Sequence, residues 1–333
     1  MSSYGFPTLL QYSRLTSTTA DIKTRADEAR TELVTGRIAD LKKELGASVG
    51  DLHLLRKAID DVRAMQTATT RALGRAQSSQ LALARATEGA IETGADMLSA
   101  IGQGNQQSID VVAVEAGLQL EAAISSFNTR FEGRSLFAGD ASNQPALADV
   151  DTLLTDIRAI FAGAADNAQL QADLDTYFNT PGGGFETNIY LGGSGDAART
   201  EISDGELINY SAKADEQPVR DLLRSLSTLV VAHEQGAWPE RNEALSSAAT
   251  GLIQAATDIT SIRARVGAAE ERMAAADARF EAEATAFSAT YNERTAVDPY
   301  EAASRLQALE TQLEASYVAT SRISQLTFAN FIR

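Results

Sequence analysis

The chain has no cysteine in 333 residues, which excludes disulfides, thiolate zinc sites and thiol nucleophiles. Histidine is scarce too: His53 and His233 are the two present, and neither has a His or a carboxylate at ligand spacing. Aromatic residues amount to 6%, with Trp238 the single tryptophan. Of the six prolines, Pro145, Pro181 and Pro218 fall in one central stretch. No apolar run approaches the ~18 residues that a membrane-spanning helix needs, so no membrane partner is expected. Met1 to Leu10 has neither the basic nor the apolar part of a signal peptide. A soluble chain is expected, one that is exported, if at all, without a cleaved signal.

Positive charge is short as well. Twenty-nine basic residues face 45 acidic ones, net −16, whereas a nucleic-acid surface needs concentrated Lys and Arg. The imbalance is local. Residues 1–85 hold 13 basic and 9 acidic side chains, net +4, and residues 138–234 hold 5 and 16, net −11. An acidic middle of this kind reads as a solvated, outward-facing region.

Candidate chemistry is thin. Gly193-Ser194-Gly195-Asp196-Ala197-Ala198 follows the strand-like Asn188–Leu191 and formally fits a dinucleotide fingerprint, but no crossover helix fits before Thr200–Ser203, so a turn is expected. Asp60-Asp61 and Glu270-Glu271 are adjacent along helices and diverge, with Arg63 and Arg272 beside them, as on a solvated face. Asn209-Tyr210-Ser211 fits a glycosylation acceptor only as a chance-level pattern. No nucleophile, base and oxyanion site assembles, so no catalytic, cofactor-binding or metal-binding residue is expected, and the chain reads as non-enzymatic.

What is abundant is heptad spacing. Leu252, Ile259, Val266, Met273, Phe280 and Phe287 recur every seven residues, with Ala255, Ile262, Ala269 and Ala276 three later, which defines a coiled-coil seam needing a partner helix. The complementary run starts at a capping box, Ser48 to Asp51, and places Leu52, Leu55, Ile59, Val62, Leu73, Ala76, Leu83, Met97 and Ile101 in phase over about 50 residues of one long helix. Gln66, Thr69, Gln80 and Thr87 occupy its seam and can fix register. Ahead of it, Leu15, Ile22 and Ala29 with Thr19, Ala26 and Leu33 predict a narrow-striped helix over 8–35, capped by Thr8 and stopped at Gly36, then a loop to about Val49. A third helix, capped by Ser108, is expected to end near Phe131 to Gly133.

Residues 140–234 form a compositional outlier. Helices are expected at 147–162, 167–178 and 217–233, a Gly182–Gly184 loop, and strands at 187–191, 199–203 and 206–211. After Trp238-Pro239 the heptads run to about Thr295. Asp298-Pro299-Tyr300-Glu301 then restarts a helix in which Leu306, Leu309, Leu313, Ser316, Thr320, Ile323 and Thr327 keep the frame. The fold expected is mainly α: a long coiled-coil helical bundle of N- and C-terminal segments with a small α+β domain inserted in the middle. It divides into a terminal core (1–40, 296–333), a rod (41–139, 235–295) and an outer insert (140–234).

Three segments carry a resemblance. Thr31-Glu32-Leu33-Val34-Thr35-Gly36-Arg37-Ile38 resembles the segment near the start of flagellin-family proteins, and Asn128-Thr129-Arg130-Phe131-Glu132-Gly133-Arg134-Ser135-Leu136-Phe137-Ala138-Gly139 is similar to a turn of the hook-associated protein 3 branch, which joins hook to filament. The ending, Leu313-Glu314-Ala315-Ser316-Tyr317 through Leu326 to Ile332, resembles that branch's tail. Filament flagellins follow the first segment with an acidic stretch, whereas Leu45–Asp51 here departs from it, which favours the junction type. The resemblance implies a structural axial protein exported by the flagellar type III apparatus. Its implied partners are copies of itself in a ring or tube, a hook-side junction protein, filament flagellin and an export chaperone.

On this reading the assembly interface comprises Leu9, Leu10, Leu15, Ile22, Leu33, Leu306, Leu309, Leu313, Ile323, Leu326, Phe328 and Phe331. The rod core comprises Leu52, Leu55, Ile59, Val62, Leu252, Ile259, Val266, Met273, Phe280 and Phe287. The terminal stripes, rich in Ala, Thr and Ser, bury too little to hold a monomer and are expected to order on assembly. The rivals are a filament flagellin and, from another class, a coiled-coil sensory or adaptor protein binding a ligand at Gly182–Gly195.

Overall fold

A computed structural model describes residues 7–195, 199–203 and 205–331, with the side chains of residues 7–12 and 323–331 outside that description. The fold is mainly α, with long terminal helices packed together and a small strand-containing insert in the middle. The chain divides into two compact units, Met1–Arg63 with Glu281–Arg333, and Ala64–Phe280.

The first unit is built on α1 (Pro7–Thr35) and the last helix, α10 (Pro299–Phe331), which pack against each other. Helix α1 already includes Thr8, so the expected cap lies inside the helix, because Pro7 is suited to the first turn, where its missing N–H costs nothing. Gly36 has φ +66°, the left-handed conformation that ends a helix without a Cβ penalty. The segment expected to be a loop holds a short helix, α2 (Leu41–Leu45). Asp40 makes it possible by accepting from the Lys42 and Lys43 N–H groups at 3.1 and 3.0 Å. A 3-10 turn, Gly46–Ser48, leads straight into α3 (Val49–Ala86), so Ser48 sits in that turn rather than ahead of a free helix start.

The second unit holds the rest of α3, then α4 (Ala90–Gly102) and α5 (Gln106–Phe127). The single helix expected through Ile101 is therefore broken. Gly89, at φ +75°, turns the backbone, yet Leu83 and Met97 on either side stay fully buried, so the seam survives the break. Helix α5 is capped by Asn105, whose side chain accepts from the Ser108 N–H at 3.2 Å; the residue expected to cap is the one being capped. The helix ends at Phe127, short of Phe131. A hairpin, β1 (Arg130–Phe131) and β2 (Arg134–Ser135), takes over, turning on Glu132 and Gly133 at φ 48° and 78°. Both central residues in the left-handed region make the mirror-image turn that fits strand twist.

Helices α6 (Val150–Gly163), α7 (Asn167–Asn179) and α8 (Gln217–Glu234) match the expected ones within a few residues. So do the paired strands β3 (Arg199–Ser203) and β4 (Glu206–Asn209). The strand expected at 187–191 is instead a π-helical turn, Phe185–Ile189, followed by a single bridge from Tyr190 to Leu147. Phe185 and Ile189 are both fully buried, four apart, a spacing that an alternating strand pattern does not distinguish from a turn of helix. Helix α8 is buried nearly all round and packs on α5, α6 and α7. The second unit closes with most of α9 (Arg241–Thr295), which continues into the first unit.

Candidate assembly surface

Among the described side chains, few apolar ones hold the α1–α10 pair. Ala26, Ala29 and Leu309 form its buried cluster, and Ile22 and Leu306 pack against it half-covered. Polar groups supplement them: Thr19 and Ser316 share a hydroxyl hydrogen bond of 2.5 Å, and Arg30 donates to Glu310 at 3.1 Å. Glu32 is the notable member, buried to 5% exposure. Its two carboxylate oxygens accept from the Arg305 guanidinium at 3.3 Å and from the Ala39 N–H at 3.2 Å, which is how a buried charge escapes the desolvation penalty.

The flagellin-like segment at 31–38 is the bend below this pair. Arg37 bridges Ala296, the Ile38 N–H donates to Thr295 O at 2.9 Å, and the Val297 N–H donates to Gly36 O at 3.0 Å. Two strands of chain are clamped where α1 ends and α10 begins. The Asp298 carboxylate accepts from the Tyr300 N–H at 2.8 Å, capping α10 as its spacing predicts.

Of the side chains expected at the interface, Leu15, Ile22, Leu306 and Leu313 are half-buried, Leu309 is buried and Leu33 is exposed beside Val34. Leu9, Leu10, Ile323, Leu326, Phe328 and Phe331 lie outside the described side chains. Of the residues expected in the rod core, Leu52, Ile59 and Val62 in the first unit are buried, and Leu55 and Phe287 are half-buried. In the second unit Leu252, Ile259, Val266, Met273 and Phe280 are all buried. There α9 runs beside α3: Thr70 donates to Asp277 at 2.8 Å, and Gln80 donates to the Arg263 carbonyl at 2.6 Å while accepting from the Arg263 side chain. Gln80 thereby pins the register of the seam it interrupts.

The second resembling segment, 128–139, is a latch. The Asn128 amide pairs with the Leu147 backbone in both directions, at 3.0 and 2.9 Å, and Arg75 donates to Ser135 O at 2.8 Å. Phe137 stacks edge-on against Phe127, with ring centroids 5.3 Å apart. Gly139 has φ +56°, and a Cβ there would lie 2.4 Å from the Gly193 carbonyl oxygen, so only glycine fits. The Gly193–Gly195 turn that mimicked a nucleotide fingerprint is this packing partner, and the Asp140 carboxylate accepts from the Gly195 N–H.

Other polar features have structural partners. His233 lies 3.5 Å from the Asp110 carboxylate and 3.3 Å from Arg241, a neighbourhood that sequence spacing could not show because Asp110 is over a hundred residues away. Burial raises the Asp221 and Glu270 carboxyls above the usual range, and the hydrogen bond from Arg158 holds Glu234 below it. No cluster of three metal-ligating side chains occurs among the described residues, and no described helix is long and apolar enough to cross a membrane.

Long paired helices, a register-pinned seam and a latched insert define a mainly helical fold with a small strand-containing insert. Residues 250–332 match the bacterial flagellin C-terminal helical region. The fold is similar to that of a putative flagellar hook-associated protein from Vibrio parahaemolyticus, with 12% identity, a TM-score of 0.55 and coverage of 76% of this chain and all of that one. A second similar structure is FlgL from Bacillus cereus, with 15% identity, 72% and 94% coverage and a TM-score of 0.35. No curated protein matches the sequence. The family-level likeness thus lies in residues 250–332, which take in most of α9 and nearly all that follows it.

Proposed function

We propose that this chain is an axial protein of the bacterial flagellum that joins hook to filament. The observation that carries the reading is the terminal pair: α1 and α10 meet through a thin stripe of small side chains, and α10 lies in the region matching the flagellin C-terminal helices. A stripe of that width gains little in an isolated chain, and a wall of identical stripes gains more through heterologous contacts that repeat into a ring or tube. The terminal helices, residues 1–40 and 296–333, act as the assembling core, 41–139 and 235–295 as the rod, and 140–234 as the outer domain. The partners are copies of itself, a hook-side junction protein, filament flagellin and an export chaperone, and the protein works outside the cell.

Electron microscopy of a strain lacking the gene tests this. Hooks without filaments are expected; filaments of normal length on such cells would end the junction reading. The flagellin-type match at residues 250–332 supports one rival, a filament subunit. Purified protein that grows alone into long filaments would establish that rival.

A further inference from the structure

Helix α5 presents an apolar stripe to solvent: Val111, Val114 and Leu118 are 65%, 63% and 57% exposed. They stand at i, i+3 and i+7, so they form one continuous strip over two turns rather than scattered surface residues. Carboxylates border it, Glu115 and Glu121 on α5 and Asp96 across the shallow groove that α4 and α5 form beside Val111. No cation lies nearby in sequence, for between Arg85 and Arg130 the chain has six carboxylates and no Lys or Arg. An acid-bordered stripe cannot pair with itself across a two-fold axis, because acid would then face acid.

The complement exists elsewhere on the same chain. In the first unit, a groove of about 290 Å³ is lined by Arg37, Arg56 and Arg63, with Ile59 and Tyr291 as its apolar floor and Asp60 as the one carboxylate among its lining residues. Arg37 donates to the neutral Asn292 amide oxygen at 2.8 Å, so its charge is not cancelled there. Arg56 and Arg63 are seven residues apart on α3, as are Val111 and Leu118 on α5, so both features span about 10 Å at 1.5 Å per residue. Guanidinium groups over an apolar floor suit a strip of apolar side chains edged by carboxylates.

We propose that the α5 stripe of one copy docks into the Arg37–Arg56–Arg63 groove of a second copy, a heterologous contact that repeats from copy to copy. The proposal rests on the self-assembling reading above and names the surfaces through which neighbours hold each other.

The absence of cysteine makes the test clean. The full chain carrying both Val114→Cys and Arg56→Cys is incorporated into flagella as the only copy and treated with a short bismaleimide. A ladder of multimers is expected, with none from either single variant. Glu115→Lys or Arg56→Glu alone is expected to lower incorporation about tenfold, since like charges then meet, and the two together to restore it. The proposal is overturned by incorporation without a ladder, by Val114→Cys alone linking two copies, by a cross-link to a different protein, or by charge reversals that fail to compensate. If the unmodified chain is absent from flagella, the functional reading itself fails, and that is seen before any cross-linking.

Discussion

Two helix pairings in this chain use the same heptad spacing and bury very different amounts. Along α9 in the second unit, which runs beside α3 and then meets α4 at Gly94, the seam is Leu252, Ile259, Val266 and Met273, each with no measurable exposure, and Phe280 at 3%. Between α1 and α10 the buried cluster is Ala26, Ala29 and Leu309. Burying a branched aliphatic or Met side chain contributes about 1.5–3 kcal/mol, and an alanine methyl less than one such step. Spacing sets which faces meet; side-chain size sets whether the meeting is self-sufficient. The wide seam supplies much of what holds its unit together, and the narrow one supplies less.

The comparison breaks first at the wide side. Phe127→Ala should cost about 3–5 kcal/mol, because Phe127 is fully buried in the same unit with its ring edge-on against Phe137. Urea unfolding of the second unit should show the whole loss, whereas Leu309→Ala should leave that transition in place and lower only the helical signal of the terminal pair. A shared transition lost equally in both variants would show that the two pairings are not separable. Next is Gly94→Ala, whose Cβ would sit 2.7 Å from Ile253 Cγ1 and 2.8 Å from the Ala249 carbonyl oxygen; a cost of about 1–3 kcal/mol is expected in the same experiment.

The narrow side is sharpened by its ion pair. Arg305→Met keeps the aliphatic stem and leaves Glu32 buried with only the Ala39 N–H. The Arg305 side chain is 37% exposed, so solvent screening holds the expected loss to about 1 kcal/mol. Circular dichroism melting of the terminal helices should detect it, and no change would mean that Glu32 relaxes to water without cost.

Legibility in the sequence followed the same division. The long helices were readable because large apolar residues at intervals of seven admit one periodicity, and Asp298-Pro299 announced its own cap. The break at Gly89 was not readable, since a left-handed turn there keeps Leu83 and Met97 in phase and leaves the heptad count undisturbed. Asn105 displaced Ser108 as a cap because both residue types are able to cap and the side chain nearer the turn wins. The stretch 187–191 reads as a strand, but Phe185 and Ile189, four apart and both buried, fit one turn of helix, which the structure forms over Phe185–Ile189. At the candidate surface, the terminal stripes were visible, but the Arg37–Arg56–Arg63 groove was not: it needs α3, α9 and the bend at Gly36 brought together.

The smallest expected effect tests how much an exposed ion pair, here between α6 and α8, contributes to the second unit. Arg158 donates two hydrogen bonds to Glu234, at 2.7 and 2.8 Å, and these hold the carboxyl below its ordinary value of 4.5. A lowered carboxyl stabilises the fold above that ordinary value, and the contribution is lost as pH falls through the folded value. Both side chains are roughly two-fifths exposed, at 43% and 38%, so Arg158→Ala should cost no more than about 0.5–1 kcal/mol at neutral pH. The difference between the two proteins should shrink as pH drops below about 4.5 and vanish once Glu234 is protonated in the fold. A difference that persists at pH 3 would assign the effect to packing of the arginine stem instead of its charge, because only the charged pair titrates.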